Sequence, residues 1–290
     1  MRKSSLYLPD RLKAALSSRA ATTGRSEAEI VREAIEASLA HPAGGEAVAP
    51  ERPVPGRLVG VGVGPGEPDL LTVRALAALR RADRVLAPTA AVDAVGRAEA
   101  VVRQAAPEVP VERVVFAMAP SRTARNRSLD SAARAVVAHL ERGEEVAWIT
   151  LGDPLTYSTF SSVAARVKRR RPSTVVTQVP GIMAFQALAA RTGTVIADER
   201  TRVSIRTALD GDDISGDLAD TTSTLVVYKG GRRLPDLAAE ADGHGRADRA
   251  VAGELLGMPG ERVGSLAALA GGPASYLATV IVPARIEDGE

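Results

Sequence analysis

The sequence predicts an α/β chain of two lobes behind a small leading unit. Three observations carry this. Four apolar runs, at residues 57–63, 146–151, 174–179 and 225–228, each end in a loop bearing glycine or proline and then give way to a helical pattern. The stretch "HPAGGEAVAPERPVP" at residues 41–55 has no periodic apolar pattern and reads as a linker. The forty residues before it alternate first with period two and then with helical spacing. The division that follows is a leading unit at 1–40, a linker at 41–56, a first lobe at 57–172 and a second at 173–290.

In the leading unit, "KSSLYL" places Leu6 and Leu8 on one face and Lys3, Ser5 and Tyr7 on the other, as in a short strand. Pro9 and Asp10 open a helical pattern with Leu12, Ala15, Leu16 and Ala20 on one face, and Gly24 suits its C-terminal stop. Ser26 and Glu29 have capping-box spacing, and Ile30, Val31, Ala34, Ile35 and Leu39 form the next apolar face. A strand and two helices in about forty residues bury too little surface alone, so the unit is expected to pair with a second copy.

This order resembles the ribbon-helix-helix family of bacterial repressors and antitoxins. The resemblance implies two chains joining their strands into a ribbon that enters the DNA major groove. Lys3, Ser5 and Tyr7 would face the bases, and the helix start near Arg25 and Ser26 would hold a phosphate. Charge agrees: residues 1–25 carry Arg2, Lys3, Arg11, Lys13, Arg19 and Arg25 against Asp10 alone. A bare dimerisation arm is the alternative.

Composition narrows the chemistry. Hydrophobic residues make up 45% of the 290 and charged residues 25%, with a formal net charge of +2, ordinary for a soluble globular protein and not a polycation. There is no cysteine, which excludes disulfides and thiolate metal centres. His41, His139 and His244 are too scattered for a metal cluster, so no metal is expected. No apolar run reaches membrane-spanning length, and "MRKSSLYLPDR" lacks the apolar core of a secretion signal; the expected location is the cytoplasm.

The first lobe opens on "GRLVGVGVGPGEPDLLT", a strand, a glycine-studded turn and a helix read over "PDLLTVRALAALRRAD". A dinucleotide fingerprint needs a third glycine where Pro65 or Glu67 stands, and a P-loop needs a lysine that is absent. The turn nevertheless lies at a strand's carboxyl end, where α/β sheets bind ligands, and glycine admits close approach of main chain. Pro65 and Pro68 remove donors, which argues against a phosphate cradle. Next comes the strand Val146–Leu151, then Gly152-Asp153-Pro154 and a Ser/Thr/Tyr-rich helix start. "KRRRP" at 168–172 reads as a solvated helix end assisted by the helix dipole. The strand Thr174–Val179 meets Pro180-Gly181-Ile182, and Leu225–Tyr228 runs into Lys229-Gly230-Gly231.

Taken together, "GVGPGEPDLLT", "LGDPLTYSTF", "VPGIMAF" and "VVYKGGRRLP" resemble the motif series of the tetrapyrrole methylase family, over residues 57–284. The resemblance implies two α/β lobes with S-adenosylmethionine folded in the cleft between them and held largely by main chain. It implies that Pro65, Leu151, Gly152, Asp153, Thr156, Met183, Ala184 and Lys229 line the cofactor site. Met183 stands where the family usually has Thr or Ser, which removes a hydroxyl. "VFAMAPSRTARNRSLDSAARAVVAHL", "LGDPLTYSTFS" and "YKGGRRLPDL" point to the cobalamin branch, implying C-methylation of a reduced tetrapyrrole, precorrin-2 at C20.

Such a substrate bears many carboxylates and calls for arginine. Candidates are Arg122, Arg125, Arg232 and Arg233, with Arg127, Arg202 and Arg206 beside them. No catalytic base is assigned; Tyr157, Asp153 or a substrate carboxylate could take the proton. The family resemblance also implies a homodimer. A second reading stays open: a DNA-binding regulator whose methylase-like part senses S-adenosylmethionine or a corrinoid precursor.

Overall fold

The computed structural model describes residues 10–39, 56–91, 93–116, 121–209 and 212–285. The chain divides into two compact units, Met1–Arg52 and Pro53–Glu290.

In the first unit, α1 (Asp10–Thr23) and α2 (Glu27–Leu39) are joined by a short turn. Gly24 ends α1 at φ 67° with its N–H on the Ala20 carbonyl at 3.0 Å. The capping box forms as the spacing predicts: Glu29 N donates to Ser26 Oγ at 3.3 Å and Ser26 N to Glu29 Oε2 at 2.9 Å. Ser17 and Lys13 of α1 both bind the Glu27 carboxylate. Leu16, Ala20, Ile30 and Val31 stay only half-buried, and no side chain among residues 13–33 is fully buried. The strand expected over residues 3–8, with Lys3, Ser5 and Tyr7, and the linker at 41–55 lie outside the described residues.

The second unit begins with β1 (Arg57–Gly62), α3 (Val73–Arg81), β2 (Arg84–Thr89), α4 (Arg97–Ala105) and β3 (Val111–Val115). It continues with α5 (Arg122–Leu140), β4 (Val146–Thr150), α6 (Phe160–Arg170) and β5 (Val175–Val179). These strands form a parallel sheet in the order β3-β2-β4-β1-β5. Its two faces are covered separately. Val59, Val61, Ile149, Leu79 and Val102 pack on one side, and Leu58, Trp148, Phe160, Val136 and Val167 on the other. Double coverage explains why β1 and β4 read as unbroken apolar runs.

The rest is α7 (Ala184–Thr192), β6 (Arg202–Thr207), α8 (Ser215–Ala219), β7 (Ser223–Tyr228) and α9 (Leu234–Gly243), then β8 (Val251–Glu254), β9 (Arg262–Ser265), α10 (Leu266–Ala270) and β10 (Thr279–Val282). The second sheet runs β6-β7-β10-β8-β9 and is mixed: β6 and β7 are parallel, and β10 lies antiparallel to both β7 and β8. Among the described residues, no helix is long and apolar enough to cross a membrane.

Two boundaries differ from the sequence reading. The division at 172/173 assigned β5 to the second lobe, but β5 pairs with β1, with Val59 opposite Thr177, and completes the first sheet. Its valines need the open edge of β1, and the second sheet starts only at β6. The helix expected from Pro68 starts at Val73 instead. Pro68–Leu70 form one 3-10 turn, Leu71 is extended, and Thr72 Oγ1 accepts the Ala75 N–H at 3.1 Å, a stronger start signal than the proline. In the basic run at the end of α6, Lys168, Arg169 and Arg170 are exposed, and Lys168 Nζ donates to the carbonyls of Pro172 and Thr174 just beyond the helix at 2.8 and 3.0 Å.

Candidate active site

Strands β4, β1 and β5 lie side by side at one side of the first sheet, so their three carboxyl-end loops meet. Val63 N donates to Thr150 O at 3.0 Å and Gly152 N to Gly64 O at 2.7 Å, which zips the first two loops together. Asp153 ties in the third: its Oδ2 accepts Gly181 N at 3.2 Å, and its Oδ1 accepts Leu155 N at 2.8 Å. A side chain at Gly181 would stand 2.1 Å from the Gly152 carbonyl oxygen, and one at Gly62 would stand 2.5 Å from it. Gly152 differs, with φ 69° and nothing within 4 Å of where its Cβ would be. The glycines therefore divide the work. Gly62 and Gly181 let loop main chain touch loop main chain, and Gly152 leaves bare backbone facing open space.

The other candidates of this group lie on the same three loops. Pro65 is buried between Gly64 and Gly66. Leu151, Asp153 and Thr156 are half-buried. Met183 precedes α7 with its N–H on Gln186 Oε1 at 2.9 Å, and Ala184 is the first residue of that helix.

The second sheet contributes the end of β7. The Tyr228 ring lies 5.9 Å from Tyr157 and 6.5 Å from Phe185, edge-on to the latter. Burial pushes the Tyr228 hydroxyl up to about 12. Tyr157 has left-handed backbone at φ 48°, and its hydroxyl donates to Ile205 O on β6 at 2.7 Å. A left-handed tyrosine is strained and persists only where surrounding contacts hold it, a pattern common at functional sites. Lys229 follows at φ 60°, half-buried, with no side-chain hydrogen bond or ion pair to the described residues. Burial lowers its pKa. Tyr228 and Phe185 were not singled out in the sequence; their signal was position, one before Lys229 and one after Ala184.

The arginines are dispersed. Arg122 and Arg125 are exposed in the first turn of α5, which follows β3 at the same carboxyl end of the sheet, and Arg127 is exposed further along. Arg232 is exposed and lies near Tyr276, whose hydroxyl is pushed up by burial against the opposing Arg232 charge. Arg233 is half-buried, donating to Asp212 O at 2.7 Å and facing Glu240 at 3.6 Å. Arg202 pairs with Asp220 at 3.1 Å and Arg206 with Asp217 at 2.6 Å. A cavity of about 130 Å³ lined by Leu79, Asp83, Glu108 and Pro110 opens at the amino ends of β2 and β3, the opposite end from these loops. Among the described residues, no cluster of His, Asp and Glu could hold a metal ion.

The donor set fits S-adenosylmethionine. Bare main chain at Gly152, with no lysine-bearing phosphate loop, suits a neutral nucleoside and an amino-acid tail. The Asp153 carboxylate and two aromatic rings nearby suit a sulfonium cation.

Residues 57–270 match the model of the tetrapyrrole (corrin/porphyrin) methylases. The chain is 33% identical over 237 residues to a precorrin-2 C(20)-methyltransferase of a Sinorhizobium species, spanning 79% of this chain and 95% of that one. It is 29% identical over 211 residues to the cobalt-precorrin-2 C(20)-methyltransferase of Salmonella typhimurium, spanning 71% and 86%. Among solved structures, a cobalt precorrin-4 methyltransferase shares the fold at a TM-score of 0.59 and 20% identity, covering 78% of this chain and 94% of that one. The uroporphyrin-III C-methyltransferase of Thermus thermophilus, complexed with S-adenosyl homocysteine, does so at 0.55 and 22%, covering 78% and 97%. With the three loops meeting as described and the match running from β1 to α10, the chain belongs to the tetrapyrrole methylase family, S-adenosylmethionine-dependent methyltransferases.

Proposed function

We propose that this chain methylates C20 of precorrin-2 to give precorrin-3A, a cytoplasmic step of cobalamin biosynthesis. The observation that carries the reading is the meeting of three bare loops at Gly152, with Lys229, which has no partner among the described residues, one residue beyond the Tyr228 ring. The substrate assignment is supported by the Sinorhizobium relative. S-adenosylmethionine supplies an activated methyl group, so the protein's task is alignment and exclusion of water. Main chain at Pro65, Leu151, Gly152, Met183 and Ala184, with Thr156 and the Asp153 carboxylate, would hold the donor. Lys229, Arg122, Arg125, Arg232 and Arg233 would receive the carboxylates of the macrocycle.

The test is product mass after incubation with S-adenosylmethionine and enzymatically made precorrin-2. A product heavier by one methyl group is expected. The cobalt-bearing counterpart is run in parallel to decide which substrate is preferred. Donor binding without turnover of either overturns the reading.

A second role is supported by one observation, the absence of any fully buried side chain among residues 13–33. We propose that residues 1–40 pair with a second copy in a homodimer and, as a ribbon-helix-helix unit, bind DNA through Lys3, Ser5 and Tyr7. Binding to DNA upstream of its own operon should be sequence-specific and salt-dependent, and lost on deleting residues 1–40. Indifference to sequence leaves only a dimerisation arm. Specific DNA binding without turnover would favour a regulator that senses the donor or a corrinoid precursor.

A further inference from the structure

The first loop is fastened at its far side to the second lobe. Arg191, near the end of α7, pairs with Glu67 of that loop and, through Nε at 2.6 Å, with Glu261 in the turn between β8 and β9. Glu261 in turn accepts Gly257 N at 2.6 Å. Main chain meets main chain here too. A side chain at Gly66 would stand 2.0 Å from Leu256 O, and one at Gly257 2.4 Å from Glu67 N. The turn is itself constrained, with Leu255, Gly257 and Gly260 at φ 52°, 70° and 85°. The loop from Gly64 to Glu67 is thus suspended between Gly152 in the first lobe and Arg191 in the second. The same helix that carries Arg191 starts at Ala184 beside Met183.

We infer that Arg191 is a positioning residue for the donor site: by holding Glu67 and Glu261 together it sets where Gly64 and Pro65 stand relative to Gly152. The inference rests on the family's use of this cleft for S-adenosylmethionine. All three partners are partly shielded from water, so the pairing is less screened than one on the open surface. Glu67 lies two residues from Pro65, so releasing it loosens the part of the loop proposed to hold the donor.

The experiment measures binding of S-adenosyl homocysteine by calorimetry, together with KM for the donor, KM for the macrocycle and kcat. The full-length wild type is compared with Arg191→Met, Arg191→Lys and Glu261→Gln. Arg191→Met is expected to weaken donor binding about tenfold, a scale usual for a slightly misplaced binding loop, and to raise the donor KM in step. The macrocycle KM should stay within about twofold, and Arg191→Lys should recover part of the loss. Glu261→Gln removes one arm only and is read if Arg191→Met does not fold; it should weaken donor binding about threefold. Variants that bind the donor like wild type, even if less heat-stable, overturn the inference alone. A wild type that binds no donor overturns the methyltransferase reading and the inference with it.

Discussion

Tyr157 joins the two sheets through Ile205. Its ring belongs to the loop after β4, and its hydroxyl donates to the Ile205 carbonyl on β6 at 2.7 Å. Replacing Tyr157 with Phe removes that bond and keeps the ring beside Tyr228. A net loss of about 1 kcal/mol is expected, lowering the thermal midpoint by about 2–4 °C in scanning calorimetry. No change would mean that the two sheets hold register without this tie.

Gly181 and Gly152 should respond differently to alanine. At Gly181 the new methyl meets the Gly152 carbonyl at 2.1 Å, so the loops must separate. Both stability and binding of S-adenosyl homocysteine are expected to fall, binding by at least about tenfold. At Gly152 the fold leaves space, but the methyl would enter the room assigned to the donor, so binding is expected to fall while stability loses only about 1 kcal/mol from backbone strain at φ 69°. A Gly152 variant that binds like wild type would contradict this division of roles.

Lys229 is half-buried without a partner among the described residues, and burial alone lowers its pKa. The unfolded chain therefore binds the proton more readily, and the burial penalty is present at neutral pH and fades as pH rises toward 10.5. Lys229→Met is expected to raise the urea midpoint at pH 7, with a smaller gain at pH 10, and to raise the macrocycle KM about tenfold. A lower midpoint at pH 7 would show that the amine is satisfied in the fold.

Tyr228 gives the opposite sign. Its hydroxyl titrates near 12 in the fold against 10.0 in the unfolded chain, so its contribution is intact below pH 10 and is lost as pH climbs to 12. Urea titrations from pH 9 to 12 should show a decline that is smaller in Tyr228→Phe, by up to about 2 kcal/mol. Parallel curves for the two proteins would reject this.

Arg246 is 4% exposed and donates to the carbonyls of Asp217, Leu218, Asp220, Ser223, Val282 and Pro283. It gathers the ends of α8, β7 and β10 around one guanidinium. Arg246→Met leaves those carbonyls short of donors and should destabilise the fold by about 3–5 kcal/mol. Trp148, the sole tryptophan and fully buried, makes intrinsic fluorescence the readout.

Local chemistry made much of this legible. The ends of β1, β4, β5 and β7 were visible because apolar runs stop at Gly, Asp, Pro or Lys, and the Ser26–Glu29 box formed as its spacing implied. The capping signal of Thr72 competes in the sequence with the more conspicuous Pro68, and the fold follows Thr72. The second sheet was mostly hidden, because β8, β9 and β10 are four residues each and too short to show a period.

By itself the sequence determined the order of strands, bare loops and helices, and with it the family. Those signals are local: side-chain period, turn residues and caps act within a few positions. The tertiary structure decided that β5 closes the first sheet, that Gly62 and Gly181 serve loop contact while Gly152 faces open space, and that Arg191 binds Glu67 from 124 residues away. Each of these depends on which backbone edges and charges are left unsatisfied once the sheets have formed, and no short window of sequence contains that information.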